Sequence, residues 1–146
     1  MFMYQRNLNN YKTTQILTAD PGKIILMLLD GSMSFIEQAR ECAERKEFGE
    51  KAHFILRTKN ILLELLAALD YENGADIARN LREIYIFLLA ELDRADISND
   101  LNSLKKCGEV LTNLRDGWSE MLEQKESVSM AQPKAHVAAL SFSGMA

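Results

Sequence analysis

Pro21 and Pro133 are the chain's only prolines, so everything between them is free of the residue that removes a backbone donor and breaks helices. Leu, Ile, Ala, Glu, Lys and Arg dominate that stretch, and most of these are strong helix formers. A β-sandwich of 146 residues would show many more turn signals than 7 glycines and 2 prolines. The expectation is an all-α fold, and the length suits a single domain.

Cys42 and Cys107 are isolated, with no CxxC pattern and no histidine partner, and read as reduced core cysteines rather than a disulfide or a metal site. Met1 to Arg6 show no basic segment leading into an apolar one, and no apolar run approaches the ~20 residues of a membrane span. The expected location is therefore cytoplasmic, without membrane insertion. The formal net charge of −4 is unevenly spread: residues 24–124 hold 12 Lys/Arg against 19 Asp/Glu, while both ends are slightly basic. An acidic body without a basic stripe excludes nucleic acid as the expected partner.

Four helices follow a leader. The leader, residues 1–17, carries Tyr4, Leu8 and Tyr11 at helical spacing, then the β-prone run from Tyr11 to Ile16; a short helix and an extended strip both fit it. The first helix starts where Thr18 or Asp20 caps it and Pro21 occupies its first turn, and runs to about Glu44. The second continues past Arg45-Lys46-Glu47 to Leu69. A turn over Asp70 to Gly74 follows, in which Gly74 is free to turn left-handed. The third helix spans about Ala75 to Ala95. Ser98-Asn99-Asp100 caps the fourth, expected from Leu101 to Glu123. Short connections make sequential helices antiparallel neighbours, giving an up-down-up-down four-helix bundle over residues 1–124. Residues 125–146, rich in Ser, Ala and Gln, read as a flexible tail, with Val137, Leu140 and Phe142 available for docking.

The apolar arcs distinguish the helices. In the third, Ile77, Leu81, Ile84, Tyr85, Leu88 and Leu92 form one core stripe; in the fourth, Leu104, Cys107, Leu111, Leu114, Trp118 and Met121 do the same. The second helix has an inward set, Phe48, Ala52, Ile55, Leu56, Leu62, Leu63 and Leu66, and a second set, Phe54, Ile61, Leu65 and Ala68, about 130° round. Together they cover roughly 240°, where a surface helix needs about 100°. Ile24 to Leu29 on the first helix are apolar right round. Either the leader and tail cover this excess, or part of it is a groove for a partner helix or extended peptide.

Catalytic patterns are absent from the sequence. His53 falls on the polar side of the second helix and His136 in the tail, with no ExxH pair or HExxH site. Pro21-Gly22-Lys23 lacks the preceding strand, first glycine and following Ser/Thr of a phosphate-binding loop. Asp76, Arg79, Arg82 and Glu83 fit a solvated helix face. No catalytic, metal or cofactor residue is assigned.

Tyr11, Ile16 and the run Thr18-Ala19-Asp20-Pro21-Gly22-Lys23-Ile24-Ile25-Leu26-Met27-Leu28-Leu29-Asp30-Gly31 together resemble the opening of the FliS family of flagellar secretion chaperones. Lys59 to Leu65, Leu69-Asp70, Ile77-Ala78, Asn80-Leu81, Tyr85, Asp100, Val110-Leu111, Leu114-Arg115-Asp116 and Trp118 continue the resemblance across residues 4–124. It implies a non-enzymatic four-helix bundle that binds the disordered C-terminal region of flagellin, prevents premature polymerisation and helps deliver it to the flagellar export gate of a type III secretion system. Other flagellar regulatory or co-chaperone proteins are further partners of the kind it implies.

On that basis the client groove involves Ile24 and Leu28, Phe54, Ile61 and Leu65, and Ile86 and Phe87. The leader residues Tyr4, Leu8, Tyr11 and Ile16 are expected to cap the start of the first helix until the client displaces them. Tyr85-Ile86-Phe87-Leu88-Leu89-Ala90-Glu91 departs from the family's Y-D-Y-M and two arginines, and Arg94-Ala95-Asp96 from its E-A-N. The rival reading is a self-assembling structural bundle whose surplus stripes form a homodimer interface.

Overall fold

A computed structural model of the chain describes residues 20–131, with side chains to 127. Four α-helices make up this region: α1 Pro21–Glu44, α2 Phe48–Ala67, α3 Ala75–Ser98 and α4 Leu101–Ala131. Each packs mainly on two neighbours, α1 on α2 and α4, and α3 on α2 and α4, so the helices form a closed ring. Cross-helix contacts run antiparallel. Trp118 meets Gly22 while Arg115 meets Asp30, and Lys51 meets Ala95 while Lys59 meets Asp93. The expected up-down-up-down bundle is the observed one.

Local chemistry sets the ends. Asp20 caps α1 by accepting from the Lys23 backbone N–H at 2.9 Å, with Pro21 at the first helical position. Between α2 and α3, Asp70 does the work expected of Gly74. Its carboxylate accepts from the Asn73 side chain at 2.8 Å and from the Asn73 and Glu72 backbone N–H groups, which hold the carboxyl below its usual range. Gly74, at φ −122°, is not left-handed; it is the N-cap of α3. Asp100 caps α4 through the Asn102 and Ser103 N–H groups.

The core is a set of heptad seams. Buried positions recur at alternating steps of three and four: Ile25, Leu29, Ser32, Ile36 and Ala39 on α1; Lys51, Ile55, Thr58, Leu62, Leu65 and Leu69 from α2 into its turn; Ala78, Leu81, Tyr85, Leu88, Leu92 and Ala95 on α3; Leu104, Cys107 and Leu111 on α4, with Trp118 a full heptad later. This 3.5-residue period is that of helices crossing at a shallow angle with interlocking side chains. The polar members are satisfied locally: Ser32 and Thr58 hydroxyls donate to the carbonyls of Leu28 and Phe54, each at 3.0 Å. Lys51 is fully buried, and its ammonium donates to the Ala95 and Asp96 carbonyls at 3.1 and 3.4 Å and to Asn99 Oδ1. A lysine from α2 thus closes the C-terminus of α3, where unpaired carbonyls and the negative end of the helix dipole favour a cation. Glu91 is the exception, with Oε2 buried and without a hydrogen-bond partner among the described residues.

Two expectations need correcting. The fourth helix does not stop near Glu123; it continues to Ala131, so residues 125–131 are helix rather than tail. Nothing in Gln124 to Ala131 breaks a helix, and Pro133 is the first residue that would. On α2 the buried and exposed sets differ from those the sequence pattern suggests. Leu65 and Ala68 are buried, whereas Phe48, Leu56 and Leu63 are exposed. Lys51 and Thr58 occupy seam positions, and this polar chemistry hid the true stripe.

Candidate functional site

Phe48, Tyr71, Ile97 and Leu101 are exposed at helix ends and in the α2–α3 turn, and the remaining apolar residues outside the seams fall in two groups. The first is the outer side of α2 and α3. Leu56 and Leu63, seven residues apart on α2, are 54% and 49% exposed, and Ile86 and Phe87 on α3 are 42% and 43% exposed. The Lys59 ammonium joins Asp93 at 2.5 Å across the two helices. With Lys51 meeting Ala95, this antiparallel register sets Leu63 level with the segment holding Ile86 and Phe87. Ile86 stands one heptad before Asp93 on the α2 side of α3, so Leu56, Leu63 and Ile86 flank the inter-helix ion pair, with Phe87 exposed about 100° further round α3.

The second is an open groove between α3 and α4 of about 410 Å³, lined by Ile77, Leu81 and Ile84 from α3 and by Val110, Asn113, Leu114, Gly117, Trp118 and Met121 from α4. Ile77, Ile84, Leu114 and Met121 were all expected to be core; each is only partly buried because the two helices do not close over them. Trp118 forms the floor, its indole N–H donating to the Gly22 carbonyl at 2.9 Å. A Cβ on Gly22 would lie 2.5 Å from Leu122 Cδ2, so the missing side chain lets the first turn of α1 approach α4. A larger depression of about 650 Å³ between α1 and α4 is walled partly by Glu37, Arg40, Lys105 and Glu109, which suits an apolar client poorly.

The sequence-derived site residues divide accordingly. Tyr4, Leu8, Tyr11 and Ile16 lie outside the described residues. Ile24 and Leu28 are half-buried on the first turns of α1. Phe54 and Ile61 are half-buried and face α1: the Phe54 ring stacks on Phe35 with centroids 6.1 Å apart, and Ile61 lies beside Gly31. Leu65, 1% exposed, is seam and has no surface to offer. Ile86 and Phe87 are exposed as a contact role requires. Leu56 and Leu63 were missed as surface, and the signal that identifies them is the three-four spacing of Lys51, Ile55, Thr58, Leu62 and Leu65, which leaves them outside.

No cluster of three or more His, Cys, Asp or Glu able to hold a metal occurs among the described residues, and no described helix is long and apolar enough to cross a membrane. Cys42 and Cys107 are buried free thiols.

Residues 3–125 match the family of the flagellar protein FliS. The flagellar secretion chaperone FliSB of Pseudomonas aeruginosa is 34% identical over 104 residues, covering 71% of this chain and 82% of that protein. The flagellar secretion chaperone FliS of Salmonella typhimurium is 31% identical over 107 residues, covering 73% and 79%. That of Bacillus subtilis is 26% identical over 115 residues, covering 79% and 85%. In fold, a crystal structure of a flagellar chaperone from bacteria superimposes with a TM-score of 0.68 over 82% of this chain and 98% of its own length, at 17% identity. With the helix-start motif at Asp20-Pro21-Gly22, the ring of four helices and a sequence match spanning nearly all of that bundle, this chain belongs to the FliS family of flagellar secretion chaperones.

Proposed function

We propose that this chaperone binds the disordered C-terminal region of flagellin in the cytoplasm, prevents its premature polymerisation and helps deliver it to the flagellar export gate. The observation that carries the reading is the exposed apolar set Leu56, Leu63, Ile86 and Phe87 on neighbouring helices of a bundle whose core is already complete without them. A client that forms amphipathic helices in its assembled state presents apolar stripes that must be shielded until export, and such a surface can cover them reversibly. Ordering the client consumes part of the contact energy, which keeps an extensive contact releasable.

The leader residues Tyr4, Leu8, Tyr11 and Ile16 fit the same reading as a displaceable cover for the start of α1. Ile24 and Leu28 there are only half-buried, and Ile24 directly follows the exposed Lys23. Other flagellar regulatory or co-chaperone proteins would contact surfaces that the client leaves free.

The test is titration of the full chain with a peptide from the C-terminal region of its cognate flagellin, followed by calorimetry and light scattering. Leu63→Asp and Phe87→Asp should each weaken binding by about tenfold or more, because a charge must be desolvated in an apolar contact. Circular dichroism should show both variants folded. A stable dimer that ignores the peptide would instead favour the homodimer reading and refute the client surface.

A further inference from the structure

We infer that the α3–α4 groove is the docking site of the chain's own C-terminal segment, residues 132–146. This inference does not depend on the identity of the client. Most of the groove wall belongs to α4, the helix that leads directly into that segment. The groove's near end, Met121, lies ten residues before Ala131, about 15 Å back along the helix axis at 1.5 Å per residue. Pro133 cannot extend a helix with a normal hydrogen bond, so it favours reversal there. Six extended residues, 132 to 137, reach at most about 20 Å. Val137 therefore returns level with Met121, and the next five residues carry Leu140 and Phe142 toward Leu114 and Val110. In an extended strip Leu140 and Phe142 share one face.

The surface on the way back is complementary in charge. Glu120, Glu123, Gln124 and Ser127 line a shallow depression on α4 between Ala131 and the groove, with two carboxylates at its rim. Gln124 and Glu120 stand seven residues after Gly117 and Asn113, so the depression continues the groove along one helix face. The only Lys or Arg beyond Ala131 is Lys134, which the same chain arithmetic brings over this acidic stretch before any apolar residue reaches Met121. Cation over carboxylates, then Val137, Leu140 and Phe142 over an apolar trough, is the order that the fold and the sequence both present. The segment also lies beyond residue 125, where the family match ends, so this cover would be a property of this chain and not of the shared bundle.

The test uses the full chain with methyl-labelled Ile, Leu and Val and a paramagnetic tag on Ser143→Cys; the two native thiols are buried. The expected result is selective loss of the Ile84, Val110 and Leu114 methyl signals, with Ile55 and Leu62 unchanged, and recovery of all signals when Leu140→Asp and Phe142→Asp are added. Uniform loss, or selective loss that survives the double aspartate change, overturns the proposal. Loss that appears in untagged labelled chains mixed with tagged unlabelled ones assigns the groove to a second copy and overturns it too. Selective loss from a tag on Asn9→Cys but not from Ser143→Cys gives the groove to the leader and equally overturns it. Because no flagellin is present, none of these outcomes depends on the client reading.

Discussion

Leu63 and Leu65 are two residues apart on α2, yet the structure gives them opposite jobs. Leu65 is 1% exposed at a seam position and Leu63 is 49% exposed. Truncating Leu65 to Ala removes its apolar burial and leaves a cavity, at a cost of about 2–5 kcal/mol. Unfolding entropy near 2.1 cal/mol/K per residue, over the roughly 110 residues from 20 to 131, is about 0.23 kcal/mol/K, so a loss of about 3 kcal/mol should lower Tm by about 13 °C. Leu63→Ala loses only partial burial and gains slightly in helix propensity, so its net effect should stay within about 0.5–1 kcal/mol. Urea unfolding followed by far-UV circular dichroism measures both, and calorimetric titration with the flagellin peptide then asks the functional question. Leu63→Ala should bind measurably more weakly while staying within about 1 kcal/mol of wild-type stability. A Leu63→Ala variant that loses more than about 2 kcal/mol, or a Leu65→Ala variant that loses less than about 1, would show that the seam on α2 is drawn wrongly.

Lys51→Met keeps most of the buried volume but strips the Ala95 and Asp96 carbonyls of their donor; a stability loss of about 1–3 kcal/mol is expected in urea unfolding, and no loss would mean that water or backbone repacking serves those carbonyls equally well. Cys107 is pushed up to about 12, chiefly by burial and secondarily by the Glu91 carboxylate, against an ordinary value of 9.0. The folded chain holds that proton more tightly than the unfolded chain, so this contribution is fully present below pH 9 and is lost as pH rises toward 12. Urea midpoints of the wild type and Cys107→Ala across that range should converge with rising pH, and parallel curves would contradict the assignment.

Much of the bundle was legible because helix starts and seams leave chemical marks. Asp20-Pro21 fixes where α1 begins, Asp100 where α4 begins, and the single stripes of α3 and α4 name most of their buried residues. What stayed hidden has physical causes. Leu56 and Leu63 look like core to any reading that counts hydrophobicity alone, because two places in the real seam are held by Lys51 and Thr58. Lys51 is satisfied far away in sequence, by the carbonyls of Ala95 and Asp96 on α3, and Thr58 by that of Phe54 one turn earlier. The groove at Ile84 and Leu114 was equally invisible, since the spacing between two helices is a tertiary quantity that neither helix's pattern contains.

That concealment bears on how a chaperone can be built. If Lys51 and Thr58 were leucines, no polar residue would interrupt the wide apolar arc of α2, and the helix could rotate to bury Leu56 and Leu63 in place of the seam it now uses. A buried ammonium that fits only against the C-terminus of α3 opposes such a rotation, because turning α2 would strand the Ala95 and Asp96 carbonyls. Lys51 thus holds Leu56 and Leu63 outward against their own tendency to bury. On this reasoning Lys51→Leu with Thr58→Leu should do more than alter stability: it should let α2 find a second rotational setting, detectable as doubled or broadened Leu63 methyl signals. A single sharp set of Leu63 signals in that double variant would show that packing against α1, through Phe54 and Ile61, is enough to hold the register by itself.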